Sequence, residues 1–287
     1  MGVVHSESGD VDDPAYPRSS PSDAGQPGQT LEPLEGALEG IALPSVWSRL
    51  ERPLALALDL IWDELGLFAT GRPRRWVALH FGRIALNAHG WERLRARVAR
   101  EVPDPELVPP PRSRLGLPLT WLEGVRAGLR ARRLWDRVEH AEELGRAALE
   151  RAGKLELDDL DNGELARGPL HDRDWLELLL PWLVSRLCEG QADEAGQAAR
   201  IERAIHLEQR CSAQIGRRLV NDGVLHKPVD VAYLTIEERI RAVHEHAPYW
   251  LKLARTRARK VESFTEVEIP ARFWGRPRVE LIKDPLL

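Results

Sequence analysis

Cysteine is scarce in this sequence: Cys188 and Cys211 are the only two, and they stand in helical contexts with no paired spacing. That argues against a disulfide scaffold and a thiolate zinc site, and both are expected as reduced core thiols. Long apolar runs are missing too. No stretch approaches the roughly 18 apolar residues that a membrane span requires, so no membrane partner is expected. The start MGVVHSESGDVDDP has neither the basic segment nor the apolar segment of a secretory leader, which makes the cytoplasm the expected compartment. An excess of one charge is also lacking. The formal net charge is −4, and most of the imbalance sits in residues 1–43, where eight acids face the single base Arg18. The remainder is slightly positive, so a field selecting nucleic acid is not indicated.

Catalytic signatures are equally sparse. The sequence has no glycine-rich phosphate loop, no Gly-x-Ser-x-Gly elbow and no His-Glu-x-x-His. The closest histidine clusters, His140 with Glu143 and His244 with Glu245 and His246, give no His-Glu-x-x-His spacing, so no metal is expected.

Leu, Ala, Arg and Glu dominate what is present, which favours helix, and 43% hydrophobic with 30% charged residues is ordinary for a globular domain. The expected fold class is all-α. It is an irregular helical bundle with a short extended segment or hairpin, preceded by a disordered acidic leader over residues 1–43. The helical domain spans residues 44–275 with a possible sub-boundary at the proline-rich residues 103–118, and residues 276–287 form an extended C-terminal tail. A helix runs through Leu54, Leu58, Ile61 and Leu65 with Pro53 in its first turn, and Gly66 helps to break it. Residues 76–87 alternate as a short extended piece or hairpin. Trp91, Leu94 and Val98 mark a further helix, and a long one passes from Trp121 through Leu129 and Leu134 to a stop at Gly153. Residues 155–168 read as a polar connector. Residues 175–187 are apolar around the whole circumference and belong in the middle of the bundle.

Residues 201–238 carry the densest local signals. Ile201, Ile205, Ile215, Leu219 and Val220 recur at mostly helical spacing, Gly223 supplies a left-handed stop, and Pro228 bars an immediate restart. Residues 229–234 read as extended, and Thr235 with Glu238 forms the Thr-x-x-Glu capping box of a new helix.

Within that stretch the run Ile215-Gly216-Arg217-Arg218-Leu219-Val220, then Gly223, Asp230, Tyr233-Leu234-Thr235 and Glu237-Glu238, resembles a signature of phosphoenolpyruvate-utilising enzymes, phosphoenolpyruvate synthase-like or rifampicin phosphotransferase-like. In that family the pattern lies in the helical part ahead of the phosphohistidine domain. Ala232 replaces the usual aromatic residue. Downstream, Glu268-Ile269-Pro270-Ala271-Arg272-Phe273 is similar to a second family pattern. The likeness is good over residues 174–275 and fades before them.

The resemblance implies the helical middle of such an enzyme without its nucleotide-grasp and phosphohistidine domains. The chain is then expected to be a non-catalytic, substrate-binding-like or scaffolding component of a split dikinase-type phosphotransferase system. It would have no catalytic residue, cofactor or activity of its own and would act with a separate chain carrying both missing domains. Gly216, Arg217, Arg218, Gly223, Asp230, Tyr233, Thr235 and Glu238 are expected to be structural. In rifampicin phosphotransferase-like relatives the helical part holds the substrate, which makes Trp47, Trp62, Trp175 and Trp182, four of ten tryptophans, candidates to line a cavity for an apolar or aromatic small molecule. Two alternatives stay open: a stand-alone small-molecule-binding helical protein, and a basic helical adaptor for protein or nucleic acid that uses Arg126, Arg130, Arg132, Arg133 and Arg137 or Lys252, Arg255, Arg257, Arg259 and Lys260. Nucleic acid is the weaker expectation, because acids interleave with the first basic group.

Overall fold

A computed structural model describes residues 30–34, 38, 43–67, 71–101, 119–188, 193–264, 267–268, 272–274 and 280–281. The chain is mostly helical: α1 (Pro44–Glu64), α2 (Ala88–Glu101), α3 (Leu119–Gly153), α4 (Asn162–Arg167), α5 (Asp172–Leu187), α6 (Glu194–Asn221), α7 (Ile236–Glu245) and α8 (Tyr249–Phe264). A 3-10 helix, Pro228–Tyr233, links α6 to α7. Short strands complete the described residues: β1 (Thr30–Pro33), β2 (Val77–His80), β3 (Arg83–Asn87), β4 (Val267–Glu268), β5 (Phe273–Trp274) and β6 (Glu280–Leu281).

Helix α5 lies at the centre, against α1, α3 and α6. Leu178, Leu179, Leu180, Trp182, Leu183 and Val184 are all buried, as a helix without a polar face requires. Two apolar cores form around it. The larger takes α1, the β2–β3 hairpin, α2, α3, α5, the first half of α6 and, through Val261 and Phe264, the end of α8. The smaller takes α4, the second half of α6, the 3-10 helix, α7 and α8. One rod therefore serves both, with Ile201, Ala204 and Leu207 in the first core and Cys211, Ile215 and Leu219 in the second.

Helix ends follow local chemistry. Gly66 (φ 68°) and Gly223 (φ 73°) both occupy the left-handed region. After each, the amide of the next residue reaches back to the third-last helical carbonyl, Leu67 N–H to Trp62 and Val224 N–H to Leu219, which is the Schellman arrangement. Nothing stands within 4 Å of a side chain added at Gly223, so its glycine serves conformation alone. Gly223→Ala is expected to lower stability by about 1 kcal/mol, the left-handed penalty, and Gly223→Asn by less. Urea denaturation followed by circular dichroism checks both.

Residues 77–87 form a hairpin. The two-residue turn Phe81-Gly82 has φ of 47° and 70°, the sign pattern of a type I′ turn, and Phe81 is held there by an edge-on contact with Phe264 at 5.6 Å.

Several expectations change. The end of the leader is not disordered: β1 pairs antiparallel with β3 on one side and β5 on the other, giving the sheet order β2-β3-β1-β5. Leu31 and Leu34 are buried there, an apolar anchor too short to stand out beside so many acids. Residues 1–29 and the proposed sub-boundary at residues 103–118 lie outside the described residues. In the tail, β6 pairs with β4.

Pro53 is not in a first turn. Helix α1 begins at Pro44, which takes that role, and Pro53 is buried in the helix interior, where it removes the amide that the Arg49 carbonyl would accept. Pro181 stands likewise inside α5, and α3 crosses close to the Glu177 carbonyl that it leaves, where a side chain at Gly145 would lie 3.2 Å from the oxygen. Leu129, expected on an apolar face, is exposed. The connector over residues 155–168 contains α4, started by a capping box between Asp161 and Glu164. Residues 229–234 are not extended, since Asp230 accepts from the Lys227 amide (3.0 Å) and starts the 3-10 helix instead.

Candidate functional site

Gly216, Asp230, Thr235 and Glu238 of the family-like run meet at one joint, where α6, the 3-10 helix, α7 and α8 are held together. Gly216 of α6 faces the 3-10 helix so closely that a side chain there would stand 2.2 Å from the Pro228 carbonyl oxygen. Arg218, two residues on, reaches the other way and donates to the Leu160 carbonyl (2.7 Å), to Asn162 Oδ1 (3.0 Å) and to the Asp158 carbonyl (3.2 Å), pinning the α3–α4 connector to α6. Among the described residues Arg217 bonds Gln214 alone, at the surface. Glu238 closes the capping box of α7, accepting from the Thr235 amide (2.8 Å) while its own amide donates to Thr235 Oγ1 (3.3 Å). The same carboxylate takes a two-pronged bond from Arg257 of α8, at 2.5 and 2.9 Å, and Arg257 also donates to the Tyr233 carbonyl (2.9 Å).

Arg257 thus leaves the basic surface group to which the sequence assigned it. It is fully buried. In the other basic group Arg137 pairs with Glu64 at 2.9 Å. The side chain of Arg126 lies outside the described residues.

Behind the joint lies a buried charge cluster that sequence reasoning missed. Glu208, at mid-α6 between the two cores, receives Arg239 Nη1 on Oε1 at 3.1 Å and faces Arg49 Nε from Oε2 at 3.5 Å, the latter an ion pair rather than a hydrogen bond. Arg239 also donates to the Val231 carbonyl (3.3 Å). Two guanidinium groups share one carboxylate, and Nη2 of each arginine is buried without a partner. Burial pushes the Arg239 pKa down, with Glu208 opposing the shift. Gly168, in the left-handed region at the end of α4, passes over this ion pair, where a side chain would collide with Glu208 Oε2 and Arg49 Nη2. The signal was present: Glu208 lies two helical turns from Ile201 and from Ile215, in phase with the apolar stripe of α6.

A cavity of about 360 Å³ opens between α1 and α7, at the lower end of the range for small-molecule sites. Trp47, Ser48 and Glu51 line it from α1, and Thr235, Glu237, Glu238 and Arg241 from α7. The Ile236 amide donates to Ser48 Oγ (3.3 Å), tying the start of α7 to α1 at its edge. Among the four candidate tryptophans, Trp47 is on this wall. All four belong to the larger core, and Trp47 itself is only 3% exposed; Trp62, Trp175 and Trp182 each have an indole N–H without an acceptor, and Trp62 meets Trp76 edge-on at 5.4 Å.

Burial raises both thiols, Cys188 and Cys211, to about 11, and at Cys211 the Glu208 carboxylate adds to the shift. Neither is an activated nucleophile. Among the described residues no three His, Cys, Asp or Glu side chains are grouped to hold a metal ion, and no helix is long and apolar enough to cross a membrane. Compared with family models, with curated proteins and with solved structures, the chain matches none of them.

Proposed function

We propose that the chain is a ligand-holding helical component without catalytic groups of its own, working with phosphotransferase domains carried on another polypeptide. One observation carries the reading: Gly216, Asp230, Thr235 and Glu238 of the run that resembles the signature of phosphoenolpyruvate-utilising enzymes build a single joint, and a small cavity opens on the α7 end of that joint. Gly216, Arg218, Asp230, Thr235 and Glu238 each have a structural task, so the likeness concerns how helices are held rather than a reacting group. Phosphoryl transfer needs fixed donors around the phosphates, carboxylates on a metal and a nucleophile in line. In this reading those parts belong to the partner, with its nucleotide-grasp and phosphohistidine domains.

Purified alone and incubated with radiolabelled ATP or phosphoenolpyruvate, the chain is expected to transfer no label to itself, to water or to a small acceptor. With the product of a neighbouring reading frame that supplies the missing domains, it is expected to form a stable complex on size-exclusion chromatography. Label transfer by the single chain sinks the proposal. The position of Trp47 on the cavity wall favours a second reading, a small-molecule-binding protein that works unaided, and saturable ligand binding with no complex formed by any neighbouring product would select it.

A further inference from the structure

The cavity wall has an uneven balance of satisfied and free charge. Both oxygens of Glu238 are taken by Arg257, and Glu51 pairs with Arg75 Nη2 at 3.4 Å. Two charged groups of the lining are left. Glu237 and Arg241 are both exposed and make no hydrogen bond or ion pair among the described residues, Arg241 acting only at longer range on Tyr249. They stand one turn apart on α7 with the acid nearer the helix start, the order that ordinarily closes into an ion pair. Here both line the cavity and form no ion pair with each other. Their spacing on the helix, about 5–6 Å between Cβ atoms, brackets a group whose two opposite charges are carried on a single carbon.

We propose that this cavity takes an α-amino acid with an aromatic or apolar side chain, its ammonium on Glu237, its carboxylate on Arg241 and its side chain against Trp47. Ligands of a single charge fit less well. An anion such as a phosphate would meet Arg241 but also Glu237, and the first-turn amides of Ile236 and Glu238 already donate to Ser48 and Thr235. A plain cation would meet Glu237 but also Arg241. Opposite charges on one small molecule satisfy both, and the largely buried Trp47 contributes an apolar patch to the wall for the side chain. The inference rests on reading the chain as a ligand-holding component, and it names the class of ligand.

Isothermal titration of the full chain with L-phenylalanine and L-leucine tests it, with N-acetyl-L-phenylalanine (no ammonium), L-phenylalaninamide (no carboxylate) and phosphoenolpyruvate as comparisons. At least one free amino acid is expected to bind saturably, and each blocked form about tenfold more weakly, or ~1.4 kcal/mol. Glu237→Gln is expected to abolish discrimination against the acetylated form alone, and Arg241→Gln discrimination against the amide alone. Both positions are exposed, and circular dichroism confirms that the variants stay folded. The proposal is overturned if neither amino acid gives saturable heat up to about 10 mM, if blocked and free forms bind alike, if the variants keep full discrimination, or if phosphoenolpyruvate binds in their place. None of these results bears on label transfer or complex formation, so the two proposals fail separately.

Discussion

Glu208→Gln is expected to lower the unfolding free energy by about 3–5 kcal/mol, the usual consequence of removing one partner from a buried charge group. Among the described residues the carboxylate is the one anion paired with both Arg49 and Arg239, and all three side chains are at least nine-tenths buried. Taking away its charge leaves two guanidinium ions facing each other in a medium where their repulsion is weakly screened. The amide keeps the volume and one hydrogen bond, so the loss reports charge rather than packing. For a domain of this size the midpoint of thermal unfolding should fall by on the order of 10 °C. Replacing all three residues with apolar side chains of similar length, Glu208→Leu with Arg49→Met and Arg239→Met, is expected to recover most of the loss, because the desolvation cost disappears along with the attraction. Urea denaturation of the single and triple variants, followed by tryptophan fluorescence, measures both. A single-variant loss under about 1 kcal/mol would mean that water reaches the cluster and screens it.

Local rules were readable where one residue decides the outcome. The stop at Gly223, the box from Thr235 to Glu238 and the central burial of α5 each follow from side-chain chemistry acting within a turn or two, and the structure has all three. Features set by distant partners were not readable. Pro53 and Pro181 stay inside helices because the apolar surface that α1 and α5 bury against their neighbours outweighs a missing hydrogen bond, and that surface is tertiary. The strand at Thr30–Pro33 exists because β3 and β5 offer their edges to it, with little in its own composition to announce it. The site divides in the same way. Trp47 stands out in the sequence as an aromatic on an apolar face, whereas Glu237 and Arg241 look like any exposed pair on a helix until α1 is placed opposite them. Arg257 shows the converse, since its sequence neighbours are basic surface residues and only the Glu238 fork removes it from their company.

Gly216→Ala is the sharpest test of the joint itself. Gly216 and Gly223 both read as signature glycines, yet the structure separates them: one is needed for its backbone angle, the other for its missing side chain. At Gly216 the obstruction is backbone, the carbonyl of Pro228 at 2.2 Å and its Cα at 3.0 Å from the position a methyl group would take. No rotamer change relieves such a contact. Either α6 and the 3-10 helix move apart by about an ångström or more, opening the core around Ile215, Leu219 and Val231, or the 3-10 helix unwinds and releases the Asp230 cap. Overpacking of a side-chain contact costs about 1–3 kcal/mol, so a rigid backbone contact should cost at least about 3 kcal/mol. Alanine is otherwise the best helix former and would add about 1 kcal/mol of stability at an unobstructed glycine in mid-helix, which gives the two possibilities opposite signs. The urea midpoint is therefore expected to drop well below that of Gly223→Ala. A Gly216→Ala variant as stable as the parent would mean that α6 and the 3-10 helix do not touch at this point, and the joint on which the functional reading rests would be lost with it.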